Sequence, residues 1–252
     1  MPQAASGTTE PVATVATGLV FVEVARYPAA AASIFRLTPG SREREQRVKL
    51  ALIGYGALGR NIEAMITEAE PSGQIVYFDD QAAGAQPFHT HDSEEFADFR
   101  FFVCLGYKHL NLRKQILDRL VALGRSVPHF MHPSSYVHPS VTIGHGSVIY
   151  PGCCIDRNTT IGRGVSLLNG TVIAHDGSVG DACWFGPGVT LSGHVTIGER
   201  TFVGSGSAVA NDVEIGSGVI IGLATAVTKH LGDNVSAIGN PVRILARPLK
   251  LV

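Results

Sequence analysis

From Val137 onward a bulky apolar residue returns at every sixth position: Val137, Ile143, Ile149, Ile155, Ile161, Leu167, Ile173, Val179, Phe185, Leu191, Ile197, Val203, Val209, Ile215 and Ile221. No insertion breaks the count. Four residues after each stands a smaller side chain, among them Ser147, Cys153, Thr159, Gly177, Cys183 and Ser207. Glycine often follows the bulky residue directly, as in Ile143-Gly144, Ile161-Gly162 and Ile197-Gly198. A period of six fits neither the 3.6 of a helix nor the strict alternation of a two-sided sheet. It fits a parallel β-helix, in which three short strands complete one triangular coil of eighteen residues. The bulky residue fills the prism, the small one faces in where a large one has no room, and glycine lets the chain turn at the corners. Fifteen hexapeptides make five coils, about 24 Å tall at a strand spacing of ~4.8 Å. A β-sandwich would alternate at two and break at its turns. The repeat also accounts for the glycine content, since 17 of 29 glycines lie in 137–226.

The chain before the repeat has a different grammar. Residues 1–47 are rich in Ala, Thr and Val and end in Arg42-Glu43-Arg44-Glu45. They read as an extension of unassigned role, with a possible strand over 19–24. Residues 48–132 alternate strand and helix. Strands are expected at 48–53, 74–78 and 101–105, and helices at about 58–70 and 109–123, the second closed by Gly124. This is a small open α/β unit of parallel strands. Its first strand runs into Gly54-Tyr55-Gly56-Ala57-Leu58-Gly59, and its second ends at Phe78-Asp79-Asp80.

Composition excludes several classes. Lys+Arg 20 against Asp+Glu 21 leaves net charge −1, which argues against a polyanion binder such as a nucleic-acid protein. No apolar run reaches the ~18 residues of a membrane span. The first positive side chain is Arg26, so the basic start of a signal peptide is missing. Cys104, Cys153, Cys154 and Cys183 show no CxxC or metal-type spacing and read as reduced thiols of a cytoplasmic protein.

The repeat, and the ending Ala237-Ile238-Gly239-Asn240-Pro241-Val242-Arg243, resemble the left-handed β-helix acyltransferases, the hexapeptide-repeat transferases. The α/β unit in front is similar to the branch of UDP-N-acetylbacillosamine N-acetyltransferase and the sialic-acid O-acetyltransferases. The left-handed winding, an exception to the usual crossover rule, comes from the resemblance alone. The resemblance implies a Rossmann-like nucleotide-sugar-binding domain at 48–132, followed by a left-handed β-helix acetyltransferase domain at 133–246. It implies acetyl-CoA as co-substrate with no metal, a nucleotide-sugar acceptor, and a homotrimer with clefts between prisms. The product would feed surface polysaccharide or glycoconjugate synthesis.

Acetyl transfer from a thioester needs a base to take the proton of the attacking amine or hydroxyl, and histidine suits that task. His138, His145, His175 and His194 lie within the repeats. His175 is the third residue of Ile173-Ala174-His175-Asp176-Gly177-Ser178, so it points outward while Ile173 packs inside. The resemblance makes His175 the general base and Asp176 its partner. A rival pairing arises because His194 stands eighteen residues, one coil, after Asp176. The resemblance places Trp184, Gly193, Ser205 and Leu223 along acetyl-CoA, with Trp184 standing where the family often has a histidine. The Trp184 indole could equally fill an interface. The resemblance also gives Gly54, Gly56, Ala57, Leu58, Gly59, Asp79, Asp80 and Gly106 to the acceptor, with Leu58 replacing the histidine of a Gly-His-Gly loop. A dinucleotide reading of Gly54-x-Gly56-x-x-Gly59 lacks a second mononucleotide half. A zinc enzyme of the carbonic-anhydrase type lacks a convincing three-histidine set. O-acetylation of sialic acid or another sugar, and a non-catalytic nucleotide-binding β-helix, remain as alternatives.

Overall fold

The computed structural model describes residues 48–69 and 72–249. The extension at 1–47 and its possible strand lie outside the described residues. The α/β unit begins with β1 (Val48–Ile53), α1 (Ala57–Ala69) and β2 (Ser72–Phe78), and continues with β3 (Arg100–Val103) and α2 (Leu110–Ala122). The three strands form a parallel sheet in the order β2-β1-β3. Element types match the sequence expectation, and boundaries move by one or two residues. Short 3-10 turns at Phe88–Thr90 and Glu94–Phe96 fill the connection that the apolar pattern leaves blank.

The repeat folds as a parallel β-helix of two-residue strands. One face stacks Val148–Ile149, Ser166–Leu167, Trp184–Phe185, Phe202–Val203 and Ile220–Ile221. We call it face I. Face II carries Cys154–Ile155, Val172–Ile173, Thr190–Leu191 and Ala208–Val209, and face III carries Thr160–Ile161, Ser178–Val179, Thr196–Ile197 and Glu214–Ile215. From Phe130 to Val227 the strand residues pair with those eighteen places on, and the offset falls to sixteen only in the last coil, at Ile215↔Leu231 and Ile220↔Ser236. The bulky positions from Ile149 to Ile221 are buried, while Val137 and Ile143, at the open end, are half-buried. The helix also extends past both ends of the counted repeat. Phe130–Met131 forms a rung on face I below Val148–Ile149, and Ala226–Val227 caps face II. Met131 and Val227 are in phase with the six-residue count, so the solenoid starts inside the segment assigned above to the α/β unit.

Glycine serves two positions where the sequence suggests one. The residue directly after the bulky one needs no side chain because the next coil lies against it: a Cβ on Gly144 would sit 2.6 Å from the backbone of Gly162 and Arg163. The chain turns two residues later, where φ is positive. Gly146, Gly152, Gly164 and Gly170 occupy that place, and so do Asn158, Asp176, Ala182, His194, Arg200 and Asp212. A non-glycine residue there costs about 1–2 kcal/mol.

The α/β unit rests on face I. Arg113 of α2 is buried, with no carboxylate partner among the described residues. Its guanidinium donates to Ser166 Oγ at 3.0 Å and to the Gly164 carbonyl at 2.9 Å, and lies 5.5 Å from the Trp184 ring centre. Burial lowers the Arg113 pKa to about 10. No described helix is long and apolar enough to cross a membrane, and the four cysteines are free.

Arg113→Ala should destabilise the protein by roughly 2–4 kcal/mol in urea unfolding, because hydrogen bonds to a charged group contribute about 1.5–3 kcal/mol and their acceptors would be left buried. Arg113→Lys should recover little, since an ammonium lacks the planar fork. A loss below about 0.5 kcal/mol, typical of an unremarkable surface site, would show that this contact does not hold the two parts together.

Candidate active site

The edge between faces II and III brings His175 and Asp176 together. Ile173 packs into the prism and the next four residues turn the corner, which pushes His175 and Asp176 outward. Asp176 has φ +58, a conformation aspartate tolerates better than most residues. The turn brings the two neighbouring side chains together, with His175 Nδ1 2.8 Å from Asp176 Oδ2. Asp176 Oδ1 accepts from Asn158 Nδ2 at 2.9 Å, one coil below. Arg157 Nη1 stands 3.4 Å from Asp176 Oδ2. The Asn158 hydrogen bond, then the one from His175, hold the Asp176 carboxyl below its ordinary range. Asp176 is therefore an anion at neutral pH. It fixes the proton on His175 Nδ1 and leaves Nε2 with a lone pair, the arrangement a general base requires.

One coil above, Gly193 lies against the His175 imidazole. A Cβ there would fall 2.9 Å from His175 Cε1 and 3.1 Å from Nε2. The Gly193 amide has no acceptor among the described residues. It is free to donate to an anionic oxygen beside the His175 imidazole. His194 donates its backbone N–H to the His175 carbonyl at 3.0 Å. Its ring stands edge-on to His175, with centroids 5.3 Å apart and planes at 88°. The Asp176 carboxylate is shared by His175, Asn158 and Arg157, so the geometry favours His175 over the rival pairing with His194. The side-chain donor atoms of His175, Asp176 and His194 all lie within 4.8 Å of one another, the one such cluster among the described residues. The direct His175–Asp176 hydrogen bond occupies two of the atoms a metal would take, and the group fits a dyad better than a cation site.

The other expected residues fall in three places. Ser205 and Leu223 sit on the edge between faces I and II, across face II from His175. Leu223 is 70% exposed, although it is a large apolar residue. Trp184 lies on face I, buried beneath Tyr107 with ring centroids 5.9 Å apart. The Arg113 guanidinium also lies over it. Its indole is an anchor inside the chain rather than an open surface. The α/β residues line the rim at the carboxyl ends of the strands, where ligands of open α/β sheets bind. Gly54 has φ +90, and a Cβ on Gly59 would overlap the Gly54 carbonyl oxygen. Both glycines are thus needed for the turn itself. Gly56 and Gly106 face open space, and Ala57 is exposed. Leu58 packs against the core, which explains an apolar side chain there.

The acids of the rim are partly committed. Asp79 Oδ2 accepts from the Tyr55 amide at 2.7 Å and Oδ1 from the Gln81 amide at 2.9 Å. These hydrogen bonds, led by Tyr55, lower the Asp79 pKa. Asp80 Oδ1 accepts from the Phe88 amide at 2.8 Å. Asp79 pins the glycine loop through the Tyr55 amide. Sequence reasoning missed Asn158 and Arg157. The signal was present, because both stand eighteen residues before the dyad and so fall beside it in an eighteen-residue coil.

Residues 176–211 match the model of the bacterial transferase hexapeptide family, described as six repeats. No curated protein matches the chain. Among solved structures, the chain is similar to PerB from Caulobacter crescentus in complex with CoA and GDP-perosamine, with 31% identity, 79% of this chain and 97% of that chain covered, and a TM-score of 0.71. A variant of perosamine N-acetyltransferase from the same organism gives 30% identity over 79% and 97%, with a TM-score of 0.72. The acetyltransferase domain of PglB from Neisseria gonorrhoeae, in complex with acetyl coenzyme A, gives 28% identity over 79% and 100%, with a TM-score of 0.73. The repeat, its left-handed winding and this likeness define a hexapeptide-repeat transferase of the left-handed β-helix type. The chain belongs to the hexapeptide-repeat acyltransferases, and the similarity extends through the small α/β unit in front of the helix.

Gly193→Ala should displace the imidazole and lower kcat by at least ~10-fold, a barrier increase of about 1.4 kcal/mol, with little change in Tm. Asn158→Gly keeps the turn and removes the contact to Asp176. It should lower kcat and move the acid limb of the pH profile in the wild-type background, and have no further effect once Asp176→Asn is present. Additive losses in the double variant would mean that Asn158 does not act through Asp176.

Proposed function

We propose that the protein transfers the acetyl group of acetyl-CoA to the amine of a nucleotide-linked amino sugar, with His175 as general base in a direct transfer. The observation that carries this reading is the dyad: His175 Nδ1 is tied to Asp176 at 2.8 Å, and the imidazole is seated over Gly193. The likeness to PerB, whose structure holds CoA and GDP-perosamine, supports both the donor and the class of acceptor.

The amine attacks the thioester carbonyl and forms a C–N bond. His175 Nε2 takes a proton from the nitrogen, and Asp176 stabilises the resulting imidazolium. The Gly193 N–H donates to the oxyanion. The tetrahedral intermediate then collapses, the C–S bond breaks, and the CoA thiolate leaves with the proton held by His175. No covalent enzyme intermediate is needed. The rim of Gly54, Gly56, Ala57, Leu58, Gly59, Asp79, Asp80 and Gly106 holds the acceptor in the domain at 48–132. Gly193 of one chain, with Ser205 and Leu223 of another, lines the donor. Face II separates these two sets within one prism. They meet only where edges of neighbouring prisms face each other, which supports a homotrimer with clefts between subunits. Trp184 has no part in donor binding in this reading, because Tyr107 and Arg113 cover it.

CoA release from acetyl-CoA should be measured against a panel of nucleotide-linked amino sugars and free sialic acid. Turnover is expected with a nucleotide-linked amino sugar, and His175→Ala should reduce it at least ~100-fold, within the usual range for a lost general base. Turnover with sialic acid alone would replace the amine acceptor by a hydroxyl. Turnover that survives His175→Ala would remove the base assignment.

A further inference from the structure

The reaction as written leaves His194 without a task, although its ring stands edge-on to His175 with centroids 5.3 Å apart. We propose that His194 is a second proton acceptor, which carries to solvent the extra proton that an amine acceptor brings to the site as an ammonium ion. This role rests on the proposed transfer to an amine and adds a residue to it.

Proton balance supplies the need. An alkyl amine is mostly protonated at neutral pH, and one flanked by carbon–oxygen bonds gives up its proton near about pH 8, as an α-amine does. An ammonium nitrogen has no lone pair with which to attack a thioester. The overall change is R–NH3+ and acetyl-CoA to the N-acetyl product, CoA–SH and a free proton. Two protons therefore leave the nitrogen. One is taken as the C–N bond forms and passes by way of His175 Nε2 to the departing thiolate. The other must leave before attack, and it ends on neither product. His175 cannot hold both, because its Nδ1 is tied to Asp176 at 2.8 Å and Nε2 has a single lone pair. A hydroxyl acceptor loses one proton and makes no such demand.

The edge places a receiver beside the base. A Cβ on Gly193 would fall 3.1 Å from His175 Nε2, so this side of the imidazole faces the rung of Gly193 and its chain neighbour His194. A ring nitrogen of His194 lies within 4.8 Å of one of His175, a gap that one water spans with two hydrogen bonds. His194 is exposed while His175 is half-buried, so a proton on His194 is already at the surface. Imidazole takes and releases protons around neutral pH. The charges beside His194 favour an incoming proton. An Asp176 carboxylate oxygen lies within the same 4.8 Å, and Asp212 takes the equivalent corner place one rung above. The nearby cation, Arg157, stands on the rung below and is paired with Asp176 at 3.4 Å. The first proton thus runs from the ammonium to His175 Nε2, through one water to His194 and out. His175 returns to its neutral form and takes the second proton during attack.

The test is kcat against pH for the wild type and for His194→Asn, with acetyl-CoA and a nucleotide-linked amino sugar that the wild type turns over. Asparagine tolerates the positive φ of position 194 and has no titrating group. At about pH 6.5, where the acceptor arrives as ammonium, the variant should be at least ~10-fold slower than the wild type. At about pH 9, where it arrives as free amine, the two should agree within about 2-fold. Imidazole in the buffer should restore the rate of the variant at the lower pH, since it carries protons in the same range. Equal rates at the lower pH would overturn the proposal. So would the same fractional loss at both pH values, because a merely structural residue is missed at every pH. Wild-type turnover with a hydroxyl acceptor alone, or with none, would overturn the amine reading and the proposal with it. A wild type and a variant equally active on the amine would overturn the proposal alone.

Discussion

The register of the coil governs the rest of the structure. Up to the last coil each strand residue pairs with the one eighteen places later, and a six-residue apolar count with no insertion keeps that pairing from drifting. Hydrogen bonds such as His194 N–H to the His175 carbonyl lock one rung to the next. A rigid edge results, on which outward side chains at equivalent places stand in a column. Arg157 and Asn158, His175 and Asp176, then Gly193 and His194 follow one another up that edge. His175 acquires its partner from its own rung, its partner's anchor from the rung below, and its space from the rung above.

The same register explains why the positive-φ corners matter. Seven of the fourteen corners from Gly146 to Ala224 use glycine there, and the turn costs little. At Asn158, Asp176 and His194 polar side chains take the strained place on three consecutive rungs. Asn158 and Asp176 meet in a direct hydrogen bond, and His194 faces the imidazole that Asp176 orients.

Much of this was legible before any coordinates. The count of six dictated the coil, and an outward place for His175 followed from the inward place of Ile173. Asn158 was legible in principle, at eighteen residues from Asp176, but an outward polar residue carries no label until its neighbour is known. The burial of Trp184 was not legible. It depends on α2 packing across face I, and nothing in the hexapeptide at 182–187 records which helix lies over it. Arg113 was hidden for the same reason: its partners are a serine and a backbone carbonyl, and neither leaves a charge pattern. Local pattern thus specifies each layer, and the surface between layers is set by tertiary packing.

The central claim is that Asp176 holds His175 in the tautomer that leaves Nε2 free. It is tested most directly by ¹⁵N NMR of the protein labelled at histidine, with His175 assigned from the spectrum of His175→Gln. The account predicts a neutral His175 with its proton on Nδ1 and an unprotonated Nε2, and loss of that preference in Asp176→Asn. A neutral His175 protonated at Nε2, or a tautomer indifferent to Asp176→Asn, would contradict it.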